Sequence, residues 1–281
     1  MTMARPTCYG CPAKTGELAG AASVFIPLHD ANHLKHIRLQ YVTIAIIAIN
    51  VLVWLFTSMS SEQTAQAAVI GLGYIPALVF DHAELPAELV VVPENLTYLT
   101  YAFLHGDFMH LAGNMLFLWV FGDNVEDALG HVKFLLFYLA SAAAGAWLHG
   151  IVDVNSQVPL IGASGAVAGV VAAYLLLHPR VKVWVLVLMR LPLRIPAWIP
   201  IALWIAFQFV MFAAGGEDQV SWSAHVGGII AGAIMVLFLR RRGVPLFDRN
   251  IVTPKAAEVE SGPIEPLPTS REQQMPWGRQ P

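Results

Sequence analysis

The chain has 281 residues, 57% of them hydrophobic and 12% charged, with a mean hydropathy of +0.61 and a formal net charge of −3. Soluble globular domains carry about 25% charged residues, so this composition excludes a water-soluble protein and specifies an integral membrane one. The near-neutral balance gives no basic surface for nucleic acid, and two cysteines, Cys8 and Cys11, are too few for a disulfide framework.

Residues 1–40 include Arg5, Lys14, Lys35 and Arg38 but no apolar core of a signal peptide, so the first hydrophobic run is expected to stay as an anchor. Crossing ~30 Å of hydrocarbon takes about 20 apolar residues in a helix. Uncharged runs at 41–61, 108–122, 134–152, 160–177, 195–216 and 219–239 predict six spans, the second of them short at 15 residues. Residues 63–80 are also uncharged, but Gly71, Gly73 and Pro76 interrupt them, and they read as loop.

The basic residues orient the spans. All 16 Lys and Arg fall in 1–40, 123–133, 178–194 and 240–281. The alternate loops carry only acids, among them Glu62, Asp81, Glu84, Asp107, Asp153 and Glu217. By the positive-inside rule both termini are expected in the cytoplasm. The expected fold is an all-α polytopic membrane protein, a six-transmembrane-helix bundle at 41–240 with a long outer loop at 62–107. A cytoplasmic arm at 1–40 precedes it, and a tail at 241–281, rich in Pro, Glu and Arg, reads as disordered. No internal repeat relates the two halves.

Orientation converts sequence position into depth. Ser164 lies four residues into the fourth run and His225 six into the last, each roughly 6–9 Å below the outer end of its helix at ~1.5 Å per residue. His110 and Asn114, two and six residues into the second run, are i and i+4 and share a face. Ionisable groups within spans mark function by default, and a hydroxyl, imidazoles and an amide at one depth are the types that acyl transfer needs. A serine close to a helix N-terminus also has free N–H groups and the positive dipole end beside it, suited to an oxyanion. Gly228 and Gly232 share a face with His225, and Gly165 and Gly169 repeat that spacing beside Ser164. Small residues so placed let helices approach closely. Each feature also has a bland reading: packing for Ser164, an inter-helix hydrogen-bond pair for His110 and Asn114.

Together these residues resemble the rhomboid family of intramembrane serine proteases. The resemblance is carried by Gly162-Ala163-Ser164-Gly165, by His110-x-x-x-Asn114 within HLAGNM, and by AHVGGIIAG at 224–232; FLHGDFMH at 103–110 and GDNVEDALG at 122–130 support it. It covers roughly residues 25–239. It implies that Ser164 is the nucleophile and His225 its general base, a dyad without a carboxylate. His110, Asn114 and the backbone N–H of Ser164 are implied to form the oxyanion hole. Gly162, Gly165, Gly228 and Gly232 are the packing positions, and no cofactor or metal is implied. The implied substrates are single-span membrane proteins, cut near the outer end of their transmembrane segment, in the lipid bilayer of a bacterial inner membrane. The chain departs from common family patterns in having Leu96-Thr97 where many members carry a Trp-Arg pair. It also has Ala168 where some have a tyrosine stacked on the histidine.

His149 reads as structural or cavity-lining, and His105 as a candidate brace for the outer loop. Cys8-x-x-Cys11 followed by His29 and His33 is slightly long for a zinc-finger spacing and reads as a reduced pair in a flexible arm. GASGA is not the nucleophile elbow of soluble hydrolases, because Ala166 takes the last glycine's place. Two rival readings stand beside the protease: a non-catalytic rhomboid-like protein that binds membrane clients, and a transporter or proton channel using the histidines. The second predicts charged residues in the spans or inverted repeats, and the sequence has neither.

Overall fold

The computed structural model describes residues 25–187, 190–215 and 220–248. Its helices are α1 (Tyr41–Met59), α2 (Glu62–Leu72), α3 (Pro76–Val79), α4 (Thr97–Thr100), α5 (Phe108–Leu129), α6 (His131–Val152), α7 (Ser164–Leu177), α8 (Trp198–Ala214) and α9 (Trp222–Leu239). By length and composition α1, α6 and α9 can each cross a membrane, and α7 and α8 are shorter apolar helices. α5 is long but ends in Asp123, Glu126 and Asp127.

α7 is the centre. Nearly every one of its residues is buried, and α5, α6, α8 and α9 pack around it. Its sequence is made of Gly, Ala and Val with Tyr174 and three leucines at the far end, so the neighbouring backbones close in on it. α1 lies outside, burying only Thr43, Ile46 and Asn50 and exposing Leu52, Phe56 and Met59. Such a face suits lipid tails, not water.

The motif GDNVEDALG explains how α1 is tied on. Gln40, at the start of α1, makes no side-chain capping bond. Buried Glu126 supplies it from α5, accepting the N–H groups of Val42 (3.0 Å) and Thr43 (2.8 Å) and the Thr43 hydroxyl (2.7 Å). A carboxylate there satisfies orphan donors and meets the positive end of the helix dipole. Asp127 accepts the N–H groups of Lys35, His36 and Ile37 at 2.6–2.9 Å. Gly130, at φ +86°, then turns the chain into α6.

Three expectations are corrected and one is completed. The second run, short by its charges and open to extra residues at one end, is a 22-residue helix, because seven further residues continue α5 with their acids turned to the polar work just described. Within 63–80, read as loop, lies α2: Ser61 caps it through the Thr64 N–H at 3.2 Å, and Gly73 ends it. Pro76 then begins α3 at the first position, where a missing N–H costs nothing. Gly73 ends one helix, Pro76 starts the next and Gly71 lies inside the first; none of them prevents a helix. The fold is also not purely α. Strands β1 (Phe25–Asp30), β2 (Lys182–Val187) and β3 (Leu191–Pro196) form an antiparallel sheet in the order β1-β2-β3. Val183 and Val185 point inward and Lys182 and Trp184 outward, the alternation of a half-buried strand. Prolines 27, 192 and 196 stand on the two edge strands, where a missing donor is tolerated. Finally, the order extends past 241. The N–H groups of Phe247 and Asp248 bond to the carbonyls of Leu176 and Leu177 at 2.7 and 2.9 Å, satisfying the end of α7. The rest of the tail, from 249, and Cys8 and Cys11 lie outside the described residues.

The sheet brings one carboxyl into the core. Asp30 is 4% exposed and accepts from the Tyr174 hydroxyl and the Asn124 amide, each at 2.8 Å. Burial lifts its pKa to about 6, although the Tyr174 bond and His29 favour the charged form. The folded protein therefore binds this proton more tightly than the unfolded chain does. The stabilisation is complete below the ordinary value near 4 and is lost as pH rises through about 6. Thermal unfolding in detergent should show a melting temperature that falls between pH 4 and 7, and Asp30→Asn should flatten that slope. An unchanged slope in the variant would contradict the assignment.

Candidate active site

The residues singled out in the sequence meet at the start of three helices. Ser164 is the first residue of α7, His225 the fourth of α9, and His110 the third of α5. α7 begins at Ser164 and not at 160, as the run had suggested, because the chain before it is held extended by a bridge between Tyr74 and Leu160. The Gly162 N–H is held by the Tyr101 carbonyl at 3.0 Å. No side chain caps α7, so the first N–H groups beside Ser164 are left for a ligand.

α7 and α9 touch backbone to backbone. A Cβ on Gly228 would fall on the carbonyl of Gly165, and one on Gly232 on the carbonyl of Gly169. Both contacts advance four residues along each helix, so the two helices run parallel with Ser164 and His225 in adjoining first turns. A third helix joins them: a Cβ on Gly145 of α6 would lie 2.8 Å from the Ala224 carbonyl and 3.4 Å from the Gly165 Cα. The sequence reading named four packing glycines and missed Gly145, whose signal was faint among the alanines of α6.

His110 stands over the turn before Ser164. Gly162 has φ +122°, and a Cβ there would lie 2.6 Å from His110 Nε2, so only glycine fits. Asn114 is buried and donates to the His110 carbonyl at 2.9 Å. His105 packs edge-on against His110, with ring centroids 5.0 Å apart, and its Nε2 accepts a long bond from the Ala163 N–H at 3.5 Å. Burial, with His110 beside it, pushes His105 down to about 3, which keeps it a neutral acceptor. It braces the turn that carries the nucleophile candidate. His149 is tied to Ser221 at 2.8 Å and Ser223 at 3.2 Å, joining the end of α6 to the start of α9.

The imidazole of His225 is held by partners that sequence reasoning missed. Its Nδ1 lies 2.7 Å from Oε1 of Gln208 on α8, and its ring is flanked by Trp204 and Trp222, with centroids 6.2 and 6.1 Å away. No hydrogen bond joins His225 to Ser164 among the described residues, and Nε2 of His225 makes none. The signal for Gln208 was available: it is the sole amide in the apolar run of α8. The segment 62–107, which has Leu96-Thr97 in place of Trp-Arg, is secured by other groups. Thr100 donates to the Leu72 carbonyl at 2.6 Å and Tyr101 to the Ala142 carbonyl at 2.8 Å. Among the described residues no group of His, Cys, Asp and Glu could hold a metal.

Residues 93–242 match the family model of the Rhomboid domain. The chain is 31% identical over 175 residues to Rhomboid protein 1, mitochondrial, of Saccharomyces cerevisiae, covering 59% of this chain and 49% of that protein. It is 33% identical over 145 residues to Rhomboid protease GluP of Bacillus subtilis, covering 52% and 26% respectively. With Putative rhomboid protease YdcA of the same organism it shares 29% over 152 residues, covering 53% and 68%. The chain spans about half the length of the first of these relatives, and the family match at 93–242 contains Ser164, His225, His110, Asn114 and Gln208. This helical membrane protein belongs to the rhomboid family.

Proposed function

We propose that the chain is an intramembrane serine endopeptidase working by a Ser164–His225 dyad. The observation that supports this is the backbone contact of Gly165 with Gly228, beside which Ser164 and His225 lie in adjoining turns, with no bond made by Nε2 of His225 among the described residues. Ser164 Oγ attacks the scissile carbonyl carbon while its proton passes to His225 Nε2. The imidazolium then protonates the leaving amine, and water hydrolyses the acyl-enzyme by the same two groups in reverse roles. The first N–H groups of α7, with His110 and Asn114, take the oxyanion; loss of one such donor costs about 10²–10³ in kcat. Apo geometry is commonly looser than the reacting complex, which accommodates the unformed Ser164–His225 bond.

In this reading α1 and α5 to α9 are six spans with both termini cytoplasmic in a bacterial inner membrane. The 14 residues of α7 reach only about 21 Å, short of the ~30 Å hydrocarbon layer, so a helix that ends at the cytoplasmic face starts, at Ser164, below the outer one. Substrates are single-span membrane proteins. A fluorophosphonate probe should label wild-type protein at Ser164, located by peptide mass spectrometry, and should label neither Ser164→Ala nor His225→Ala. Absence of labelling in the wild type would overturn the reading in favour of a non-catalytic client-binding rhomboid-like protein.

A further inference from the structure

The amide of Gln208 is 2% exposed in the interior of an otherwise apolar helix, a costly place for a polar group unless both ends are bonded. Both are. Nε2 donates to the Trp204 carbonyl one turn earlier at 3.3 Å, and Oε1 lies 2.7 Å from His225 Nδ1. The first contact decides the second. Were the amide flipped, its oxygen would face the Trp204 carbonyl oxygen, two acceptors with no proton between them. With Nε2 fixed on Trp204, only an acceptor faces Nδ1, so Nδ1 must carry the imidazole proton. Neutral imidazole has one N–H, and Nε2 is then the basic nitrogen.

We propose that Gln208 is a positioning residue: it fixes the tautomer and orientation of His225 so that Nε2 can take the Ser164 proton. The dyad thus gains a neutral third member that accepts a bond but takes no proton, and the inference rests on the reading of His225 as general base. Trp204, on the same face of α8, holds the amide through its carbonyl and the imidazole through its ring. Because Gln208 is uncharged, it orients the imidazole and stabilises the imidazolium through one bond that becomes charge-assisted when the proton arrives. It does not supply the full counter-charge that an aspartate supplies in a serine-protease triad. A bond serving only to hold α8 against α9 would contribute to stability and nothing to the proton.

Steady-state cleavage of a single-span model substrate in proteoliposomes separates the two roles. Gln208→Leu should lower kcat by about 10–100-fold, part of what a general base contributes, with KM within about twofold. Gln208→Glu, in its neutral form, keeps a hydroxyl donor for the Trp204 carbonyl and a carbonyl acceptor for Nδ1, and should recover most of that loss. In protein labelled with ¹⁵N-histidine, His225 should carry its proton on Nδ1, and Gln208→Leu should shift it towards a mixture. The proposal is overturned by a wild-type kcat in Gln208→Leu, by an equal loss in the Leu and Glu variants, or by a wild-type His225 protonated on Nε2. His225→Ala run alongside distinguishes the failures: if it cleaves like wild type, the general-base reading itself falls, whereas an inactive His225→Ala beside a fully active Gln208→Leu removes only the role of Gln208.

Discussion

Gly228→Val should lower the melting temperature in detergent by roughly 10 °C and abolish cleavage, whereas Gly113→Ala should leave both nearly unchanged. The reason is what each added carbon meets. At Gly228 it falls on the carbonyl of Gly165, with the Gly165 carbon 2.8 Å and its Cα 3.3 Å away. These are backbone atoms of a buried helix and cannot swing aside as a side-chain tip would. The helices have to separate, and the packing of Gly232 on Gly169 and of Gly145 on both partners goes with them. Overpacking of this kind costs about 3 kcal/mol, occasionally more, which converts to roughly 6–12 °C for a chain of this size. Gly113 lies on the exposed side of α5 with nothing within 4 Å of an added Cβ, and alanine is the better helix former by about 1 kcal/mol. Equal effects of the two substitutions would show that the glycine contact does not hold the site together.

On the proposed mechanism His225→Ala should reduce kcat by about 10⁴-fold or more with little change in KM, since a general base acts on the proton and not on substrate binding. The sharper expectation concerns the double variant. If Ser164 and His225 act as one unit, Ser164→Ala/His225→Ala should be no slower than either single variant, because removing one already removes the function of the other. Multiplicative losses in the double variant, read by cleavage of the same substrate, would mean that the two residues act independently.

Much of this site could be read in the sequence, and what could not has a common cause. The hydrophobic runs located the long helices because hydrocarbon imposes length and apolarity directly, and the spacing of Gly228 and Gly232 forecast their face. The interior polar contacts were hidden because they depend on side chains brought together from distant parts of the chain. Glu126 and Asp127 looked like the charged edge of a cytoplasmic loop; they cap α1 and hold residues 35–37 from 83 to 92 positions away. Gln208 drew no reading in the sequence, and it meets His225 between α8 and α9. The sheet was missed for another reason. Lys182 to Val187 alternates in the manner of a strand, but its basic neighbours in 178–194 drew it into the topological argument as a loop. Helix α2 was lost to Gly71 and Gly73, the latter its terminating residue and the former a close approach, with Val91 Cγ2 2.5 Å from where a Cβ would be.

The central claim is that Ser164, activated by His225, hydrolyses a peptide bond of a membrane-anchored protein. Its most direct test is cleavage of a purified single-span substrate by purified protein in liposomes, with Ser164→Ala run in parallel and the product ends defined by mass spectrometry. The account predicts cleavage by wild type at a site near the outer end of the substrate's transmembrane segment, and none by Ser164→Ala. Cleavage at the same site and rate by Ser164→Ala would contradict it.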